Sequence, residues 1–173
     1  EEARKLAHAL QKTAIKTWIS DRDGTINNYC ASYNRSHQPL YNAMSLHAFI
    51  KKMEHGIIIT SAPLQGLIEH SIQQPDEKLI FAGSKGREYT QGTDVIKAPL
   101  EREEEETLKA MQEKLQELTE QEAYEVYKLI GSGLQIKHGQ LTIARQDINK
   151  SIPQEQSEAF LEKIRQLMGE VDL

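Results

Sequence analysis

Three consecutive β-branched residues, Ile57-Ile58-Ile59, constrain the fold of this chain more than any other stretch. A strand that is apolar at every position is the pattern of burial on both faces, found where helices cover a parallel sheet. Parallel neighbours need a crossover of a dozen or more residues. One precedes the run: Tyr41 to Met53 reads as a helix, with Leu40, Met44, Leu46, Phe49, Ile50 and Met53 forming its apolar face. Before it, Ala14 to Ser20 contains the β-type run Thr17, Trp18, Ile19, expected as a second buried strand. After it, Pro63 to Ser71 suggests another helix and Lys78 to Gly83 a third strand. The fold class expected is therefore α/β, with a Rossmann-like parallel sheet. A short amphipathic helix, Glu2 to Gln11, with Ala3, Leu6, Ala7 and Leu10 on one face, should lead into the first strand.

The chemistry sits where that first strand ends. In Ser20-Asp21-Arg22-Asp23-Gly24-Thr25, two carboxylates one residue apart emerge at the carboxyl end of the strand, where open α/β sheets bind ligands. One carboxylate can attack phosphorus and carry an aspartyl-phosphate, dividing one hard displacement into two easier ones. A second, two residues on, can protonate the leaving oxygen and later deprotonate the attacking water. Gly24 permits a sharp turn that brings backbone N–H groups toward phosphate oxygens as an anion nest. Paired carboxylates also attract Mg²⁺, which is content with one or two of them plus water and substrate oxygens. The same residue types make ordinary surface turns, so the spacing alone leaves both readings open.

The surroundings of the pair resemble a known pattern. Asp-x-Asp-Gly-Thr after an apolar strand is similar to the first motif of the haloacid dehalogenase superfamily of phosphatases and phosphomutases. The resemblance implies Asp21 as nucleophile, Asp23 as acid/base and both as Mg²⁺ ligands. That family's second motif is a hydroxyl residue at the end of the next strand, and His55 to Pro63 fits it with Thr60 in that place. Thr60 would hold a phosphoryl oxygen, with Gly24, Thr25 and Ser61 around the phosphate. The segment after the first motif forms a flap near the active-site mouth in the family. Here Asn27 to Pro39, with Tyr29, Tyr33, Arg35 and His37, is the corresponding loop. Arg35 or His37 is then a candidate to meet substrate, against the ordinary role of a solvated loop. His47 is expected to be packed or solvated, because no second histidine or cysteine sits at helical metal spacing.

Gly83-Ser84-Lys85-Gly86-Arg87 lacks the Gly-Lys-Ser/Thr ending of a nucleotide-binding loop. It is more similar to the turn after the third core strand in haloacid dehalogenase enzymes with a second-type cap, which include trehalose-phosphate and sucrose-phosphate phosphatases and phosphomannomutases. Tyr89 and Val95 to Ile96 suggest a hairpin around Gly92. Composition changes at Pro99. Leu100 to Thr119 is a long amphipathic helix with the acids Glu103 to Glu106 near its amino end, expected as a solvated face. Gly133 to Arg145 alternates around His138-Gly139-Gln140 as a hairpin with Leu134, Ile136, Leu141 and Ile143 on its apolar side. Pro153 opens a last helix with Phe160, Leu161, Ile164, Leu167 and Met168 on one face. The expected division is a core over residues 1–98 and a smaller α+β cap over 99–173.

The family's third motif, a lysine or arginine, and its fourth, one or two aspartates, follow the cap in enzymes of this kind. Lys85 and Lys150 are the lysines to test as substitutes, and Asp172 lacks an acidic partner nearby. The expectation is a chain truncated at its carboxyl end, with Mg²⁺-dependent hydrolysis of a sugar phosphate as the activity of the intact protein. The alternative is a phosphate-binding or regulatory module that has lost its metal-holding parts. With 21 basic and 26 acidic residues the net charge of −5 offers no basic patch for nucleic acid. The single cysteine, Cys30, and the absence of a long apolar run make the cytoplasm the expected location, away from membranes.

Overall fold

A computed structural model describes residues 1–11 and 14–171, excepting the side chains of residues 3, 6, 7, 10 and 11. Helix α1 (Glu2–Gln11) is present, but the apolar face expected on it lies outside the described residues, as does Asp172. Strands β1 (Thr17–Asp21), β2 (His55–Ile59) and β3 (Leu79–Gly83) are parallel, joined through α2 (Leu40–Ile50) and α3 (Leu64–Glu69). The hairpin β4 (Glu88–Gln91) and β5 (Asp94–Lys97) adds antiparallel to β3, giving one sheet in the order β1-β2-β3-β4-β5. The fold is thus α/β with a mostly parallel sheet.

Among the described residues, the main core lies on one face of that sheet. In the pleat Trp18, Gly56 and Leu79 lie in register on one side, as do Ser20, Ile58 and Phe81. That side meets Leu46 and Ile50 of α2 and Leu64 and Leu67 of α3 in the main core. Trp18 joins its edge, with Phe49 set edge-to-face 5.3 Å away. The opposite side carries Ile19, Ile57 and Ile59, and there the expectation of burial on both faces is corrected. Ile57 and Ile59 are half-buried, and Ile19 is 63 % exposed, because α2 and α3 both lie on the Ile58 side. The apolar face expected on α2 is also corrected. The helix closes at Ile50 and buries Ala43, Leu46 and Ile50, leaving Leu40 and Met44 in solvent.

A separate two-stranded sheet, β6 (Leu134–Lys137) and β7 (Gln140–Ile143), forms the expected second hairpin. It packs with α4 (Arg102–Glu120), α5 (Val126–Leu129) and α6 (Gln154–Gly169). The acids that open α4 are exposed, and Glu101 and Glu104 close a reciprocal capping box that satisfies two donors of the helix start. The second core gathers Leu118, Tyr127, Ile152 and Phe160. Tyr127 lies parallel to Phe160 with ring centroids 3.6 Å apart, and its hydroxyl donates to the Gln156 carbonyl at 3.1 Å. On β6, Gln135 and Lys137 are buried and Ile136 is 45 % exposed, while on β7 Ile143 of the apolar side packs against the second core. At the hairpin's turn the His138 N–H donates to the Ser84 hydroxyl at 3.1 Å and Arg87 donates to the Gly139 carbonyl at 3.3 Å.

Candidate active site

Parallel pairing decides where the sequence-predicted residues arrive. Asp21 ends β1 in register with Ile59, so it and Thr60, the next residue along β2, reach the same carboxyl edge of the sheet. The Asp21 side chain is exposed and has no partner among the described residues. Thr60 is buried. Its backbone N–H donates to the Ala82 carbonyl at 2.9 Å, and its hydroxyl accepts from the Ala62 N–H at 3.2 Å. A hydroxyl that accepts still has a proton to give, which is the capacity a phosphoryl oxygen requires. Thr25, in the loop that follows β1, and Ser61, two residues past β2, are both exposed.

Asp23 is held differently. The chain folds back after β1 so that the Ile26 and Asn27 N–H groups reach the Arg22 carbonyl at 3.0 and 2.9 Å, while the Gly24 N–H reaches the Asn27 carbonyl at 2.6 Å. The anion nest expected from Gly24 is therefore corrected: its donor is turned into the loop, where a backbone carbonyl already occupies it. What the position does require is glycine, since φ is +83° and a Cβ would run into the Tyr29 ring. Arg22, between the two acids, is 2 % exposed. Its Nη1 donates to Asp23 Oδ1 at 2.6 Å and to Ser36 Oγ at 3.1 Å, and its Nη2 donates to the Ser36 carbonyl. The Ser36 hydroxyl donates in turn to Asp23 Oδ1 at 2.9 Å.

The loop over residues 27–39 is thereby tied down on three sides. Arg22 holds it at Ser36, the Gln38 N–H donates to the His70 carbonyl at 2.8 Å, and the Gln38 side chain accepts from Ile72 and Gln73 at 3.0 and 3.1 Å. The third tie comes from the other core. Tyr33 N–H donates to the Gly131 carbonyl at 2.8 Å and Gly131 N–H to the Ala31 carbonyl at 2.9 Å. Between them lies a cavity of about 230 Å³ lined by Asp23, Tyr29, Cys30, Tyr33, Ser36, Gly131 and Ser132. Asp23 faces this cavity, whereas Asp21 and Thr60 are not part of its wall. Arg35 and His37 are exposed, and His37 packs against His70 with centroids 4.7 Å apart.

Of the lysines considered, Lys85 is beside the site: its N–H donates to the Thr60 carbonyl at 3.0 Å. Lys150 sits in the exposed turn before α6, and its side chain makes no ion pair or hydrogen bond among the described residues. Lys137 of β6 was not singled out by sequence, yet it is buried, and its pKa is held below the ordinary lysine value by burial and then by the charge of Lys85. Arg22, Ser36 and Gly131 escaped the sequence reading too. An arginine between two acids was a signal, but a lone serine and a glycine more than a hundred residues away carried none.

As a metal centre the pair offers oxygen donors, the type Mg²⁺ takes. The Asp21 carboxylate is unengaged and the Asp23 backbone carbonyl accepts no hydrogen bond among the described residues. No group of three or more His, Cys, Asp or Glu side chains converges among the described residues. The fit is to an ion completed by water and substrate oxygens. No described helix is long and apolar enough to cross a membrane.

The model of the family "Trehalose-6-phosphate phosphatase, C-terminal" matches residues 18–173. The chain belongs to the trehalose-6-phosphate phosphatase family. Among curated proteins of the family's kind it is 30 % identical over 184 residues to alpha,alpha-trehalose-phosphate synthase [UDP-forming] 1 of Caenorhabditis briggsae, covering 99 % of this chain and 13 % of that protein. It is 29 % identical over 160 residues to a trehalose-phosphatase of Caenorhabditis elegans, covering 90 % of this chain and 36 % of that one. The chain thus spans a small part of the first and about a third of the second. The trehalose-6-phosphate phosphatase of Aspergillus fumigatus shares the fold, with a TM-score of 0.51 at 16 % identity over 96 % of this chain and 57 % of that one.

Proposed function

We propose that the protein hydrolyses a phosphomonoester in the presence of Mg²⁺ through an aspartyl-phosphate on Asp21, with a sugar phosphate as substrate. Trehalose 6-phosphate, the compound in the family's name, is the first candidate. The observation that supports the reading is that Asp21 and Thr60 reach one carboxyl edge of a parallel sheet, with Asp23 two residues on in the loop that follows, in a chain of this family. An Asp21 carboxylate oxygen attacks phosphorus in line, and the P–O bond to the sugar breaks with its electron pair on the sugar oxygen. Asp23 gives that oxygen a proton, then takes one from the water that attacks the aspartyl-phosphate, releasing phosphate and restoring Asp21. The Thr60 hydroxyl, with Thr25 and Ser61, holds phosphoryl oxygens, and Gly24 shapes the turn that carries Asp23. Lys85, next to Thr60, supplies positive charge. Mg²⁺, held by the Asp21 carboxylate and the Asp23 backbone carbonyl, so that the Asp23 side chain stays free to move its proton, would neutralise charge on the transferring group.

Residues 1–98 serve in this reading as the catalytic core and 99–173 as its cap, whose hairpin turn is bonded to Ser84 and Arg87. We place the protein in the cytoplasm, acting on a small molecule without nucleic acid or membrane. In the full-length protein, Asp21→Asn should abolish Mg²⁺-dependent phosphate release from trehalose 6-phosphate, measured as inorganic phosphate. Turnover surviving at the parent rate would refute the nucleophile. An active parent that spares trehalose 6-phosphate but cleaves another sugar phosphate would refute only the substrate.

A further inference from the structure

We propose that Ser36 and Arg22 are positioning residues for Asp23: both donate to Oδ1, fix the carboxyl group, and so leave Oδ2 as the oxygen that exchanges a proton with the leaving alcohol. This rests on Asp23 being the acid/base of the reaction. The geometry makes Oδ1 a poor proton carrier. It accepts from the Arg22 guanidinium at 2.6 Å and from the Ser36 hydroxyl at 2.9 Å, so both of its in-plane lone pairs are engaged. Oδ2 accepts no bond among the described residues, and Asp23 borders the cavity between the loop and the cap.

The clamp is built rather than incidental. Arg22 is 2 % exposed and Ser36 4 % exposed, and a charge is buried at that depth only when it is paired. The guanidinium spans two acceptors fourteen residues away, Oγ and the carbonyl of Ser36, besides its own neighbour Asp23. Lysine, a single point of charge, cannot reproduce that fork. Ser36 itself is located from both sides: its N–H donates to the Tyr33 carbonyl at 2.9 Å, and Tyr33 is paired to Gly131 of the cap. As the sugar oxygen departs with the P–O electron pair, the proton on Oδ2 passes to it, and Oδ1 stays bonded to its two donors.

The test uses the full-length protein and two substrates, trehalose 6-phosphate and 4-nitrophenyl phosphate. A sugar alkoxide needs the proton, while nitrophenolate leaves without much help. For Ser36→Ala and Arg22→Lys, kcat on the sugar phosphate should fall by about tenfold or more with KM little changed. The fall on the aryl phosphate should be several-fold smaller, and Ser36→Thr, which restores a hydroxyl, should recover most of the sugar-phosphate loss. Thermal melts check that each variant is folded, and Arg22→Lys serves if Ser36→Ala is not. Equal losses on both substrates in folded variants, or no loss on either, would overturn the assignment of Ser36 and Arg22 while the acid/base reading stands. A parent that cleaves neither substrate with Mg²⁺ would take down the reading of Asp23 and this inference together.

Discussion

His70 shows how the site is buttressed from beneath. It closes α3, packs on Tyr33 with ring centroids 4.8 Å apart and on His37 at 4.7 Å, and gives its carbonyl to Gln38. Burial, then His37 and Arg22, hold its pKa below the ordinary histidine value, against the opposing pull of Glu69 and Asp23. A base whose folded pKa is lowered takes up its proton first in the unfolded chain, so the unfolded state binds more protons as the pH falls. The protein should therefore lose stability as the pH drops through about 6.5, the unperturbed histidine value, and stop losing it on this account once folded His70 is charged too. Melting temperatures between pH 7.5 and 5.5 check this: His70→Gln should flatten that part of the slope, and an unchanged slope would remove His70 as its source. Arg22 belongs to the same neighbourhood, and its place was only half legible. The sequence puts a cation between two acids, but burial is decided by the loop that returns Ser36 onto it.

Among the elements, the second core depends on one aromatic contact. Phe160 of α6 is fully buried against Tyr127 of α5, with Tyr124 tilted on it at 5.7 Å. Phe160→Ala should cost about 3–5 kcal/mol, read from denaturant unfolding, because the void lies among side chains fixed from three elements. A loss below about 1 kcal/mol would mean that this core repacks. Phe160 was legible, since helical spacing set it on an apolar face with Leu161, Ile164, Leu167 and Met168. Its partner Tyr127 was not, because a four-residue helix has no period to read. Elements with a strong local signal came through: three parallel strands, two hairpins, and the helices that start at Leu40, Arg102 and Gln154. Faces did so less well. On β6 the alternation announced a hairpin correctly, but not that Ile136 would be 45 % exposed and Lys137 buried. Periodicity records that two sides differ, and tertiary contacts choose which is covered.

At the scale of the molecule, the carboxyl edge that collects Asp21 and Thr60 also leaves β1 as an outer strand of its sheet. One side of that strand pairs with β2, and its outer N–H and C=O groups are not used by another described strand. Ile19 stands on its uncovered face at 63 % exposure, next in register to half-buried Ile57 and Ile80. An unpaired edge beside an apolar face is a template for pairing with a second chain, and natural sheets blunt such edges with charge. The 173-residue chain studied alone should then associate with itself as its concentration rises, and Ile19→Lys should shift it toward monomer. The lysine stem still covers the strand while its ammonium resists stacking of two such faces. Sedimentation velocity over a concentration series decides the matter: a parent that stays monomeric throughout, or a variant that associates as readily, would show that this edge and face do not govern association.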